Sequence, residues 1–260
     1  MITFIIPLKS SRVSGSWPLV CKLFERTLRS VCNQTSDNYN VVVVCHEKPE
    51  INFKSSKVTY LQVKLPLPGA EYASKEKDKM LKMQAGLIHA KDIGASYVMF
   101  VDADDCISNK IAEFVDKNPN QNGWYIGKGF DYQENIGRLK SRSKNLHLRT
   151  NSSHIINIGL LEAEIQLKPE EVKRGDCVLY HIDTASILEK RNTPLSLLPF
   201  KGVIYITDNG ENMWWSQDKM KAQKINPIAF VQALMKKTYQ KAITQPVKNS
   251  VREEFYLRDI

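Results

Sequence analysis

The chain has 260 residues, 42% of them hydrophobic and 25% charged, proportions that exclude collagen-like, low-complexity and wholly disordered organisations. Its 37 Lys and Arg against 28 Asp and Glu give a net charge of +9. That excess favours anionic partners (nucleotides, phosphorylated substrates, acidic membrane surfaces or nucleic acid) without choosing among them.

No apolar run approaches the ~18–20 residues that span a bilayer. The opening MITFIIPLKS has no positive region ahead of its apolar stretch, so 2–7 reads as a first strand rather than a secretory signal. A cytoplasmic protein is the expectation, free or at the inner face of a membrane. Ser16-Trp17-Pro18 starts a helix, with Ser as cap, Pro in the first turn and Leu19, Leu23 and Val31 as an apolar stripe. Val41-Val42-Val43-Val44-Cys45 is β-branched on both faces, the pattern of a strand covered on both sides. A further strand is predicted over 58–63, broken by Pro66 and Pro68-Gly69. Over 75–93 the spacing of Met80, Met83, Leu87 and Ala90 predicts a helix stopped by Gly94. Tyr97-Val98-Met99-Phe100-Val101 is a strand that runs directly into Asp102-Ala103-Asp104-Asp105. Strands alternating with helices point to an α/β domain on a mostly parallel sheet.

The second half is less regular. Strands are expected over 124–126, 154–158 and 202–207, and helices over 176–191 and from Asn226-Pro227 onward. The basic residues Lys128, Arg138, Lys140, Arg142, Lys144 and Arg149 face only Asp131 and Glu134 in that stretch, which reads as a charged loop, either solvated or functional. The five cysteines (Cys21, Cys32, Cys45, Cys106 and Cys177) show no CxxC or Cys/His ligand spacing, so reduced thiols are expected rather than zinc or disulfides. With no repeat or long linker, one domain with an appended helical tail is the expected organisation.

The most informative segment is YVMFVDADD. In open α/β sheets ligands gather outside the carboxyl ends of strands, where Asp102 and Asp104 form a D-x-D pair. Clustered carboxylates repel unless a cation or strong donors compensate. Mg²⁺ or Mn²⁺ is the natural compensator, taking one or two carboxylates plus phosphate oxygens. A surface turn with helix-capping Asp residues is the alternative.

MITFIIPLKS, the tetravaline strand, KMLKMQAGLIHAKDIGASYVMFVDADD and LPFKGVIYITDNGENMWWS together resemble family 2 glycosyltransferases of the GT-A fold. The resemblance runs through most of 1–215, strongest at the helix–strand–DADD unit and weakest over 125–170. It implies a Rossmann-like domain over 1–215, with a nucleotide-binding half at about 1–106 and an acceptor half at about 107–215. A C-terminal helical extension, 216–260, would follow. It also implies a nucleoside diphosphate sugar donor, most often UDP-linked, with a divalent ion on the D-x-D pair. By position Asp102 would face ribose and metal, Asp104 would bind the metal, Ala103 would lie between them at the donor, and Asp105 is an outer candidate. Pro7 to Lys9 would line the nucleoside, His46 or Glu47 would recognise uracil, and Lys82 would reach the nucleotide.

Family 2 members generally invert the anomeric centre, so the resemblance implies one in-line displacement in which a carboxylate takes the acceptor hydroxyl's proton. The matching acid is Asp176, in Arg174-Gly175-Asp176-Cys177. Glu170 and Glu171 are reserves, and a helix N-cap is the bland reading of Asp176. Asp208 is a candidate third metal contact, and Trp214 and Trp215 are candidates for stacking on a sugar. Ser152 and Ser153 are possible donor or acceptor contacts. His154 reads as a satisfied core histidine. Three competitors use some of the same features. A haloacid-dehalogenase-type phosphatase would need its D-x-D near the first strand and a Thr or Val where Cys106 stands. Nucleotidyl transfer would use a basic Gly-rich loop after the first strand, and LKSSRVSGSWP offers Lys9, Arg12 and Gly15. A nucleic-acid-binding module would need aromatics among its basic residues, which 138–149 lacks apart from His147. A donor-binding domain that transfers nothing is the remaining form.

Overall fold

The computed structural model describes residues 1–168, 171, 177–212 and 244–260. Glu170, Asp176, Trp214, Trp215 and the helix expected from Pro227 lie outside the described residues. The chain folds as α/β. Among the described residues seven strands form the main sheet in the order β10-β6-β9-β4-β1-β2-β3. These are β1 (Ile2–Pro7), β2 (Tyr39–Cys45), β3 (Val58–Gln62), β4 (Tyr97–Phe100), β6 (Gly123–Tyr125), β9 (His154–Asn157) and β10 (Ser196–Leu197). The first four are mutually parallel, and β9 runs antiparallel between β4 and β6.

Alternation of side chains across this sheet builds two cores. Ile2, Phe4 and Ile6 of β1, with Val41 and Val43 of β2, face helix α1 (Trp17–Val31) and pack on its Val20, Phe24, Leu28 and Val31. Ile5, Val42 and Val44 face the other way, onto Met80, Met83 and Leu87 of helix α2 (Tyr72–Asp92). The tetravaline run is therefore covered on both sides, as its composition predicts. Each such fully buried side chain contributes on the order of 1.5–3 kcal/mol. Ser16 caps α1 by accepting from the Leu19 N–H at 3.4 Å. Gly94, at φ +75°, ends the α2 turn by donating to the Lys91 carbonyl at 3.0 Å.

Among the described residues a second sheet of five strands has the order β12-β8-β7-β11-β5. Its strands are β5 (Cys106–Ile107), β7 (Gly129–Gln133), β8 (Arg138–Arg142), β11 (Val203–Thr207) and β12 (Gln245–Pro246). Several of these differ from the sequence reading. The basic stretch is not one loop, because Arg138–Arg142 is a strand whose single buried apolar residue, Leu139, gives too weak an alternation to be seen. Arg142 and Arg149 both pair with Asp131. Helices α3 (Ile111–Lys117) and α4 (Glu162–Gln166) also escaped the pattern. The helix expected over 176–191 begins only at His181, as α5 (His181–Lys190). Residues 244–260, grouped with a helical extension on sequence grounds, return to the body of the fold. There β12 pairs with β8, and helix α6 (Asn249–Phe255) delivers Phe255 and Leu257 to the apolar face of Cys106, Phe130 and Ile204. No helix among the described residues is long and apolar enough to cross a membrane.

α2 lies so close to the sheet that a Cβ on Gly86 would stand 2.4 Å from the Ile5 Cγ2 and 3.0 Å from the Val44 Cγ2. Both methyls are branches of buried core side chains, with no room to withdraw. Gly86→Val should therefore overpack this layer and lower the urea-unfolding free energy by about 1–3 kcal/mol. An unchanged midpoint would show that the helix can lift off at no cost.

His154, at the start of β9, is buried, with Nδ1 3.3 Å from Ser153 Oγ. Its Nε2 has no hydrogen-bond partner among the described residues, so the expected satisfaction holds at one nitrogen only. Burial foremost, then the nearby His147 and His181, hold its pKa well below the ordinary histidine value. The fold keeps a neutral ring, while the unfolded chain takes up a proton below about pH 6.5. This contribution to stability is intact above that pH and is lost below it, at ~1.4 kcal/mol per pH unit. Unfolding free energies of His154→Phe between about pH 6.5 and 5 should fall less steeply than those of the parent by that one-proton slope. Parallel slopes would mean that the folded ring protonates normally.

Candidate active site

From β1 the chain moves to β2 and β3 on one side and then crosses to β4 on the other, so the carboxyl ends of β1 and β4 flank a topological switch point. A cleft of about 180 Å³ opens there, between Pro7–Lys9 and Asp102–Asp104. A single water needs only ~10–15 Å³, so the space suits part of a small-molecule ligand.

The three acids that leave β4 have three different settings. Asp102 pairs with the Lys79 ammonium of α2 and lies 3.4 Å from the Thr150 hydroxyl. Its backbone N–H donates to Ser152 Oγ at 2.8 Å. Asp104 Oδ2 accepts from the side-chain amides of Asn209 at 2.8 Å and Asn212 at 3.0 Å. Burial, then the Asp102 charge, raise its pKa above the usual carboxylate range, against the pull of the Asn209 amide. Asp105 is fully buried and accepts from Thr150 Oγ1 at 2.5 Å, Ser152 Oγ at 2.7 Å and the Ile206 N–H at 3.0 Å. It is a structural acid that ties β4 to β11 and to the 150–152 turn. Burial, and then the charges of Asp104 and Asp102, raise its pKa well above the ordinary value.

The sequence-expected residues divide in two. Pro7, Lys9, Lys82, Asp102, Ala103 and Asp104 all line the cleft. Lys82 is only 1% exposed, and its ammonium donates to the Leu8 carbonyl at 2.8 Å and to Asp78 Oδ2 at 2.7 Å. These contacts brace the end of β1 at the cleft wall. His46 and Glu47 are not on the cleft wall. His46 Nε2 is held 2.7 Å from Asp78 Oδ1, and Glu47 accepts from the Ser10 hydroxyl and the Ser11 N–H. Both are engaged in holding neighbouring segments: His46 the start of α2, Glu47 the loop after β1. Asp208 sits in a left-handed turn at φ 58° and is also off the wall, as is Glu171. Ser152 supports the Asp102 amide and Asp105, whereas Ser153 Oγ turns to the Thr150 carbonyl at 2.5 Å.

Lys79, Asn209, Glu211 and Asn212 are functional candidates that sequence reasoning missed. The signal for the last three was the polar Asn-Gly-Glu-Asn turn placed directly after an apolar strand, which reads first as an ordinary turn. Lys75 and Arg149 add positive charge to the cleft, with the Arg149 guanidinium 5.4 Å from the Tyr205 ring centre.

Among the described residues no three His, Cys, Asp or Glu side chains are arranged to hold a metal. Asp102 and Asp104 nevertheless give two hard carboxylates on one cleft. No hydrogen bond among the described residues is formed at Asp104 Oδ1. That donor set fits Mg²⁺ or Mn²⁺, which draw their remaining ligands from water and phosphate, and it does not fit a thiolate or imidazole metal.

No protein-family model and no curated protein matches the sequence. Solved structures do match. TarS of S. aureus, residues 1–349, in complex with UDP-GlcNAc is similar over 89% of this chain and 63% of that one, at 16% identity and a TM-score of 0.50. The same protein in complex with UDP is similar over 79% and 60%, again at 16% identity and 0.50. A glycosyltransferase involved in glycosylation of the major capsid of PBCV-1 matches 77% of this chain and 81% of its own, at 14% identity and 0.37. The chain thus spans about three fifths of the TarS chains that it matches. At these identities the similarity speaks to the fold alone, an α/β, Rossmann-like mixed sheet of the GT-A kind.

Proposed function

We propose that this cleft binds a nucleoside diphosphate sugar and transfers its sugar to an acceptor hydroxyl. The observation that carries the reading is the placement of Asp102 and Asp104 beside Pro7–Lys9, at the switch point of the sheet and on one cleft wall. Asp102 and Asp104 would hold Mg²⁺ or Mn²⁺, which as a Lewis acid offsets the charge of the departing diphosphate. The chain's own cations on the wall, Lys75 and Arg149, add positive charge beside the same group. The reaction is a single displacement with inversion. As the acceptor oxygen bonds to the anomeric carbon, the bond from that carbon to the diphosphate oxygen breaks, and the acceptor proton passes to a carboxylate. Asp176 is our candidate for that base. UDP-GlcNAc, which TarS binds in one of the structures of this fold, is the first donor to try.

Nucleotidyl transfer on a related fold would need free backbone N–H groups after β1 to cradle phosphates. Here the Ser11 N–H donates to Glu47, and those of Gly15 and Ser16 donate to Glu211. With these donors occupied by the chain's own carboxylates, glycosyl transfer is the better supported chemistry.

Thermal unfolding with a panel of nucleotide sugars, with Mn²⁺ or with a chelator, tests the reading. A donor at a hundred times its Kd adds about 2.7 kcal/mol to stability, a shift of several degrees in Tm. That shift should vanish with chelator and in Asp104→Asn, whose unliganded circular dichroism should match the parent. Asp176→Asn should keep the shift and lose transfer by about 10²–10⁴-fold. Unchanged Mn²⁺-dependent binding of UDP-GlcNAc by Asp104→Asn would overturn the site assignment.

A further inference from the structure

Glu211 has no role in the chemistry above, yet its carboxylate is heavily engaged on the cleft wall. It is 6% exposed and receives Lys9 Nζ at 2.6 Å, the Gly15 N–H at 3.1 Å and the Ser16 N–H at 2.6 Å, while its own carbonyl accepts from Lys9 Nζ at 3.0 Å. These four contacts bind the turn after β11 to both ends of the loop between β1 and α1. From the same residue the backbone N–H donates to Asn209 Oδ1 at 2.9 Å. An amide whose oxygen is held in this way must turn its NH₂ the other way, and the Asn209 Nδ2 meets Asp104 Oδ2 at 2.8 Å. Asn212 is fixed by the same logic. Its Oδ1 accepts from the Asn209 N–H at 3.2 Å, and its Nδ2 donates to the Ile206 carbonyl at 3.1 Å and to Asp104 Oδ2 at 3.0 Å. Gly210, at φ +84°, lets the turn close this tightly.

We infer that Glu211 is a positioning residue for Asp104. By anchoring the 209–212 turn to Lys9 and the β1–α1 loop, it fixes the two amides that orient the Asp104 carboxylate and leave its second oxygen for the ligand. The assignment rests on the reading of Asp104 as a donor-site acid, and its test separates the two. Gly15 supplies an independent perturbation, because a Cβ there would stand 2.9 Å from Glu211 Oε1. Gly15→Ala therefore displaces the carboxylate while leaving every side chain of the network present.

The first measurement uses the ligand-free protein. Side-chain amide signals of Asn209 and Asn212, identified by their loss in Asn209→Ala and Asn212→Ala, should exchange slowly with solvent in the parent. In Glu211→Ala they should exchange at least ten times faster, with a smaller acceleration in Gly15→Ala and circular dichroism preserved in both. Exchange that does not change in Glu211→Ala overturns the inference. The second measurement is Mn²⁺ affinity, by paramagnetic resonance, with UDP present. Glu211→Ala should bind about 10–100-fold more weakly, the usual cost of removing a group that orients a metal ligand. Adding Glu211→Ala to the Asn209→Ala/Asn212→Ala pair should cause little further loss, since the effect runs through those amides. Parent-like Mn²⁺ affinity in Glu211→Ala, or full additivity, would reduce Glu211 to a structural tie and also overturns the inference. A parent protein that binds neither Mn²⁺ nor UDP-GlcNAc refutes the donor reading instead, and amide exchange then decides the role of Glu211 alone.

Discussion

Three carboxylates follow one another at the end of a buried strand, and the surroundings of β4 are organised to make that tolerable. Burial of like charges raises the energy of the ionised forms. The chain answers with a different device for each acid: an ammonium for Asp102, two amides for Asp104, and two hydroxyls with a backbone N–H for Asp105. The donors come from α2, from β11 and the turn after it, and from the 150–152 turn. Segments far apart in sequence are therefore held together by the need to satisfy the three acids that end YVMFVDADD. What remains unsatisfied faces the cleft, which is where a ligand with complementary charge would find it.

The same economy appears at the loop after β1. Glu47 takes the Ser11 N–H and Glu211 those of Gly15 and Ser16, so the loop is fastened by carboxylates from the segments that follow β2 and β11. Behind it, His46, Asp78 and Lys82 form a buried chain that terminates on the Leu8 carbonyl. Buried ion pairs of this kind add little net stability compared with an apolar core, and their effect here is geometric: they set the direction in which β1 releases the chain into the cleft. Lys82, His46 and Glu47 thus make contacts that frame the cleft.

The sheet was legible where hydrophobic periodicity is strong. β1, β2, β4 and α2 are long, apolar and cleanly bounded, and the acidic strand end was visible because apolar runs seldom feed three acids. β5, β10 and β12 are two residues each, too short for any period to register. β8 hides its alternation among arginines and lysines. The cleft residues divide by the same physics. Asp102 and Asp104 follow from position on a strand, whereas the engagement of Lys82, His46 and Glu47 depends on which partner the tertiary fold brings near, and local sequence does not carry that. Asn209 and Asn212 look like turn formers and are turn formers; that their amides also meet Asp104 is a property of the assembled sheet.

The second sheet has a consequence for synthesis. Its apolar face, with Phe130, Tyr132, Ile204 and Ile206, is covered by Phe255 and Leu257, while Glu254 accepts from the Ser108 hydroxyl and the Lys110 ammonium. A nascent chain can assemble β1 to β4 with their helices early, yet it lacks the Phe255 and Leu257 cover of this surface until residue 257 has cleared the ribosome. The interval between those two events is when the polypeptide is most prone to stick to its neighbours, and its length is set by where one phenylalanine and one leucine fall in the gene.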